Sequence, residues 1–174
     1  MKKTGLVHIY TGDGKGKTTA ACGLAVRAAS HGMHVGFFRF FKPVSGECAV
    51  LQSLPTITLR SFCPRHPGCQ KMTGEEMETL RRHVAKAWET VTREIASTSF
   101  DLIILDEIII AVRDNYLPET EIIRLMKTKP NQTELVLTGR GCTKKIRAKA
   151  DLITEMKEGK HPFPAVKARK GIEY

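Results

Sequence analysis

Residues 9 to 21 read Ile-Tyr-Thr-Gly-Asp-Gly-Lys-Gly-Lys-Thr-Thr-Ala-Ala, and the eight positions Gly12 to Thr19 hold three glycines, two lysines and two threonines. Glycines let successive backbone N–H groups turn toward one centre, and a helix that begins there adds partial positive charge. The chemistry this suits is the binding of a phosphate chain. Lys17 is placed to reach terminal phosphates, and the Thr18 hydroxyl to ligate magnesium. The spacing departs from the commonest phosphate-loop pattern. Counting back from Gly16-Lys17-Thr18, Thr11 fills the first glycine slot, Gly12 and Gly14 lie inside the loop, and Lys15 adds a further cation. The competing reading is a glycine-rich turn with incidental lysines. It does not explain why Gly-Lys-Thr should sit between an apolar strand and an alanine-rich helix, the context a phosphate loop requires.

A second constellation is Asp101-Leu-Ile-Ile-Leu-Asp106-Glu107. An apolar strand ending in acids delivers carboxylates to the ligand-binding edge of a parallel sheet, where magnesium on a triphosphate would sit. Alone the run is weak, since many buried strands end in an acid. Joined to the loop it predicts a magnesium–nucleoside triphosphate site with Thr18, Asp106 and Glu107 around the metal.

The elements that must position these groups follow from hydrophobic periodicity. Strands are expected at Leu6–Tyr10, Val35–Phe41, Ile57–Ser61, Phe100–Leu105, Leu135–Thr138 and Leu152–Met156. Helices are expected at Thr18–Ser30, from a Thr73 cap to about Ser97, at Pro118–Lys127 and at Thr143–Ala150. The long helix should bury Met77, Leu80, Val84, Ala87 and Val91 on one face, with Trp88 filling the core. Alternating periods without repeats or a linker predict one domain over residues 1–174, a three-layer α/β fold around a mostly parallel sheet.

Composition sets the outer bounds. The chain has 174 residues, 41% hydrophobic and 26% charged, and no apolar run near the ~20 residues of a membrane span. No signal peptide precedes the first strand, so a cytoplasmic location is expected. Five cysteines at scattered positions argue against a disulfide framework. Cys63, His66 and Cys69 share a loop, but no tight Cys-x-x-Cys pair supports zinc. A formal charge of +10 calls for an anionic partner. Lys144, Lys145, Arg147, Lys149, Lys167, Arg169 and Lys170 concentrate it toward the C-terminus, yet no aromatics interleave as in a single-strand platform.

The residues by themselves leave three reactions open: hydrolysis, phosphoryl transfer, and departure of the whole triphosphate as a leaving group. A small ATPase binding nucleic acid through its basic C-terminal face and a nucleoside kinase are the rivals from other classes. Thr11 to Ala21, Leu105-Asp-Glu-Ile108, Asn115-Tyr-Leu-Pro118, Leu137-Thr-Gly-Arg-Gly-Cys142 and the tail Val166 to Tyr174 together resemble the P-loop ATP:corrinoid adenosyltransferases over nearly the whole chain. That resemblance implies a RecA-like fold, often dimeric, that transfers the 5′-deoxyadenosyl group of ATP to cobalt(I) and releases triphosphate. It further implies a corrinoid substrate, Mg2+ or Mn2+, a flavoprotein reductant to supply cobalt(I), and no need for nucleic acid.

Carried over by position, Gly12, Asp13, Gly14, Lys15, Gly16, Lys17, Thr18 and Thr19 would bind the triphosphate. Thr18 and Glu107 would hold magnesium with Asp106 nearby, Arg140 would contact the phosphates, and Arg27 would serve the nucleotide side. Cobalt(I) is itself the nucleophile, so no catalytic serine or cysteine is expected. Lys15, Lys17 and Arg140 would carry the catalysis by stabilising the departing triphosphate. Phe62 would face the corrinoid. The chain departs from the family at Asp13, where asparagine is usual, and at Pro64, where a tryptophan is expected.

Overall fold

The computed structural model describes residues 4–42, 46–62, 72–162 and 164–172. The apolar runs form strands β1 (Val7–Thr11), β2 (Val35–Phe40), β3 (Ile57–Phe62), β4 (Leu102–Asp106), β5 (Glu134–Thr138) and β6 (Leu152–Glu155). They join in one six-stranded sheet in the order β3-β2-β4-β5-β1-β6, and every pairing is parallel. Parallel neighbours need crossovers, and these are helices: α1 (Lys17–Ser30), α2 (Gly46–Ser53), α3 (Gly74–Ser97), α4 (Ile108–Arg113), α5 (Glu119–Thr128) and α6 (Lys144–Arg147).

Because helices cover both faces, the central strands are apolar throughout rather than alternating. One face buries Ile9, Phe38, Phe40, Ile103 and Leu105 against Leu80, Val84, Trp88 and Val91 of α3 and against α4 and α5. The other buries Phe37, Leu59, Ile104 and Val136 beneath Ala21, Ala25 and Ala28 of α1 and Cys48 and Leu51 of α2. The fold is the three-layer α/β P-loop architecture expected from the sequence. The outer strand β6 is exposed along its whole length, with Leu152 and Ile153 facing outward.

Three expectations need correction. Met77 is 39% exposed, and the buried stripe of α3 begins only at Leu80. With 24 residues α3 is about 36 Å long, whereas a six-residue strand spans about 20 Å, so the sheet cannot cover the helix along its whole length. The second strand ends at Phe40, because Phe41 takes a left-handed backbone conformation at φ 58°. Two helices, α2 and α4, were not expected at all.

The cap of α3 was legible. Thr73 Oγ1 accepts from the Glu76 N–H at 3.2 Å, and Glu76 Oε2 accepts from the Thr73 N–H at 2.7 Å. The same Thr73 N–H, followed by the hydroxyl, holds the Glu76 carboxyl below its ordinary value. Replacing Thr73 by Ala is expected to lower stability by about 1 kcal/mol, read as an earlier urea midpoint at unchanged slope. An unmoved midpoint would mean the cap contributes nothing. Trp88 lies in the core as expected, and its Nε1–H donates to Glu121 Oε2 at 3.0 Å.

Candidate active site

The loop between β1 and α1 is held in shape by the sheet's last strand. The Met156 N–H donates to the Thr11 carbonyl at 2.9 Å, and the Gly14 N–H donates to the Met156 carbonyl at 2.7 Å. The fit is tight at Gly12, where φ is 96° and an added Cβ would lie 2.4 Å from the Met156 carbonyl oxygen. Only glycine meets both conditions without strain. Gly16 forms the N-cap of α1, which has no side-chain cap and no acid in its first turn. The amides of that turn therefore face the loop with positive polarity, the arrangement that binds phosphate.

Lys17 opens the helix but is not exposed, as a free loop lysine would be. It is 6% exposed, because its Nζ turns back and donates to the carbonyls of Gly12 at 2.7 Å and Gly14 at 2.6 Å. Burial first, then the charge of Arg140, lowers its pKa, with Glu107 opposing. Arg140, exposed in the segment after β5, is thus electrostatically close to the loop. Asp13, Lys15 and Thr19 are exposed on the loop and the first turn of α1.

The carboxylates lie where β4 ends. Asp106 is fully buried, and its Oδ1 accepts from Thr18 Oγ1 at 2.9 Å and Thr138 Oγ1 at 2.7 Å. Glu107 turns the chain at φ 63° to start α4, and its N–H donates to Thr138 Oγ1 at 2.9 Å. Asp106 Oδ2 and Glu107 Oε2 are buried without a hydrogen-bond donor. A hydroxyl and two carboxylates with buried oxygens to spare are hard donors of the kind magnesium takes. The set fits the metal expected from the sequence.

Three neighbours of this site were not anticipated. Arg39 is 1% exposed in β2. Its Nε stands 3.7 Å from Asp106 Oδ2, and its other nitrogens reach Glu47 Oε1, at 3.3 Å, and Cys48 Sγ. A lone arginine inside Phe37-Phe38-Arg39-Phe40-Phe41 was the available signal, since a buried charge requires a partner. Lys42 donates to Thr18 Oγ1 and Glu107 Oε1, the latter at 2.8 Å. Burial alone would lower its pKa, but the charges of Asp106 and Glu107 outweigh this and raise it. Thr138, ending β5, binds Asp106 and Glu107 together.

Arg27 and Phe62 stand apart from this cluster. Arg27 is ten residues along α1 from Lys17, about 15 Å along its axis, and its charge acts on Tyr10. Phe62 ends β3, four strand spacings or about 19 Å from β1, and packs against Phe38 and Phe40. Cys22 on α1 packs against the core beneath that helix, and its thiol pKa is pushed up to about 12 by burial and then by the charges of Asp106 and Glu47. Among the described residues no group of three or more His, Cys, Asp or Glu could hold a metal, and the Cys63–Cys69 loop lies outside them. A cavity of about 450 Å³ is lined by Arg113, Asn115, Glu119 and Gly141 among others.

Among solved structures, a KaiC-like protein from Pyrococcus horikoshii aligns with 90% of this chain and 75% of its own, at TM-score 0.48 and 16% identity. The sequence comparisons are far closer. The corrinoid adenosyltransferase of Escherichia coli K12 is 37% identical over 179 residues, covering 98% of this chain and 86% of its own. The Salmonella typhimurium corrinoid adenosyltransferase CobA is 36% identical over 183 residues, covering 100% and 88%. The family model of the ATP:corrinoid adenosyltransferases BtuR/CobO/CobP matches residues 3–174. The chain belongs to the ATP:corrinoid adenosyltransferase family.

Proposed function

We propose that the chain transfers the 5′-deoxyadenosyl group of ATP to the cobalt(I) of a corrinoid and releases triphosphate, in the synthesis or salvage of adenosylcobalamin. The match over residues 3–174 carries this reading. It is supported by the meeting of a glycine-rich loop, Lys17, Thr18, Asp106 and Glu107 at one edge of the sheet.

The corrinoid cobalt supplies the electron pair of the new cobalt–carbon bond, and the C5′–O bond pair leaves on the triphosphate. The protein's task is to receive that charge. Loop amides of Gly12 to Thr19, Lys15 and Arg140 would line the phosphates, and Lys17 would exchange its two carbonyl partners for phosphate oxygens. Charge-assisted donors already in place need little reorganisation as the leaving group develops. Magnesium or manganese held by Thr18, Asp106 and Glu107 would neutralise charge on the triphosphate. Asp13 would accept from a ribose hydroxyl. Arg27 would serve the nucleotide from farther along α1, and Phe62, across the sheet edge from the loop, would stand on the corrinoid side. A homodimer acting as a single-domain cytoplasmic enzyme, fed cobalt(I) by a flavoprotein reductant, completes the proposal.

Incubation with ATP, Mg2+ and chemically reduced cobalamin is expected to give light-sensitive adenosylcobalamin and triphosphate in equal amounts. ADP and phosphate as the only products would replace transfer with hydrolysis. The nucleic-acid rival gains no support from the basic helix α6, where Lys145 pairs with Glu119 at 3.5 Å and Arg147 with Glu155 at 3.8 Å.

A further inference from the structure

The oxygens assigned to the metal already hold a cation that belongs to the chain. The Lys42 ammonium hydrogen-bonds Thr18 Oγ1, lies 2.8 Å from Glu107 Oε1 and stands 3.6 Å from Asp106 Oδ2. It thus reaches one oxygen of each residue in the set.

Its placement is built into the backbone. Phe41, immediately before it, adopts φ 58°, a conformation uncommon for a bulky side chain and kept only where packing over-determines it. Here the ring is 3% exposed and packs 5.8 Å, centroid to centroid, from Tyr116. The left-handed turn ends β2 and sends Lys42 back across the strand ends toward β4.

The two basic groups beside Asp106 differ in freedom. The Arg39 side chain is 2% exposed, while that of Lys42 is 30% exposed. Arg39 is a fixed counter-charge; Lys42 has a way out. A divalent ion and an ammonium repel one another at a shared set of oxygens, so one must yield.

We propose that Lys42 is a tethered counter-ion. It keeps the Thr18, Asp106 and Glu107 oxygens converged before nucleotide binds. It then yields them to the divalent ion that arrives on the triphosphate, leaving its own charge free for the phosphates. This rests on the adenosyl-transfer reading only in taking those three residues as the metal's ligands. Its test needs neither ATP nor corrinoid, so product analysis and metal binding fail independently.

The test is a titration of the nucleotide-free protein with Mn2+, reading the free ion by electron paramagnetic resonance. Lys42→Met removes the competitor and is expected to bind Mn2+ about tenfold more tightly than wild type. Lys42→Arg keeps a cation there and should gain far less. Equal or weaker Mn2+ binding by a cooperatively folded Lys42→Met overturns the proposal. If that variant does not fold, amine labelling of the wild type read by mass spectrometry decides instead. Saturating Mn2+ should raise labelling of Lys42, and unchanged labelling overturns the proposal.

Discussion

Lys17→Ala is expected to lower the rate of adenosyl transfer by two to three orders of magnitude. Loss of one charge-stabilising donor at a developing anion costs about 2.7–4 kcal/mol of barrier, and Lys17 is the cation set deepest in the loop. Its burial adds a second effect that an exposed lysine would not have. The Nζ joins the Gly12 and Gly14 carbonyls at 2.7 and 2.6 Å, and those acceptors lose their donor in the variant. Unsatisfied polar groups that stay buried cost about 1–3 kcal/mol, less where water can enter. The variant should therefore unfold at lower urea, yet remain folded at 25 °C and keep its cooperativity. Steady-state triphosphate release and a urea titration on one preparation separate the two effects. Turnover within tenfold of wild type would remove Lys17 from the catalytic machinery. Unfolding at 25 °C would make it chiefly a clamp for the loop.

The largest loss of stability is expected from Asp106→Ala. Asp106 is fully buried and Arg39 is 1% exposed, with 3.7 Å between Oδ2 and Nε. Removing one partner of a buried pair leaves the other charge uncompensated, which costs about 3–5 kcal/mol. Glu47, at 3.3 Å from Arg39, moderates the loss without replacing the carboxylate. Thr18 and Thr138 lose their common acceptor as well. Asp106→Asn keeps a carbonyl oxygen for the two threonines while removing the charge, so it should lie between wild type and Ala in a urea titration. Asp106→Ala within 1 kcal/mol of wild type would show that Arg39 finds another partner at no cost.

These two residues illustrate what the sequence discloses and what it withholds. The loop and the acids after β4 were legible because each sits where an apolar run ends, and in a parallel sheet that edge is where ligands bind. The burial of Lys17 was not legible, because sequence shows a lysine in a turn but not the Gly12 and Gly14 carbonyls to which its ammonium turns back. Arg39 and Lys42 escaped notice because a strand pattern records apolarity, while their partners Glu47, Asp106 and Glu107 come from other elements. Helix α4 was invisible for a different reason. Ile108-Ile-Ile-Ala-Val continues the apolar run of β4 almost unbroken, and periodicity cannot divide a buried strand from a buried helix. The break is the left-handed Glu107. Helix α2 starts at a glycine and buries only Cys48 and Leu51, too few positions to display a period.

The loop leans on Met156, and that has a bearing on how the protein is made. Residues 12 to 16 leave the ribosome before the backbone that shapes them, which comes about 140 positions later, just past β6. A nascent chain that stops short of Leu152 carries every glycine and lysine of the loop and lacks the strand against which they are moulded. Nucleotide capture therefore waits on a segment synthesised about 140 positions after the loop that performs it.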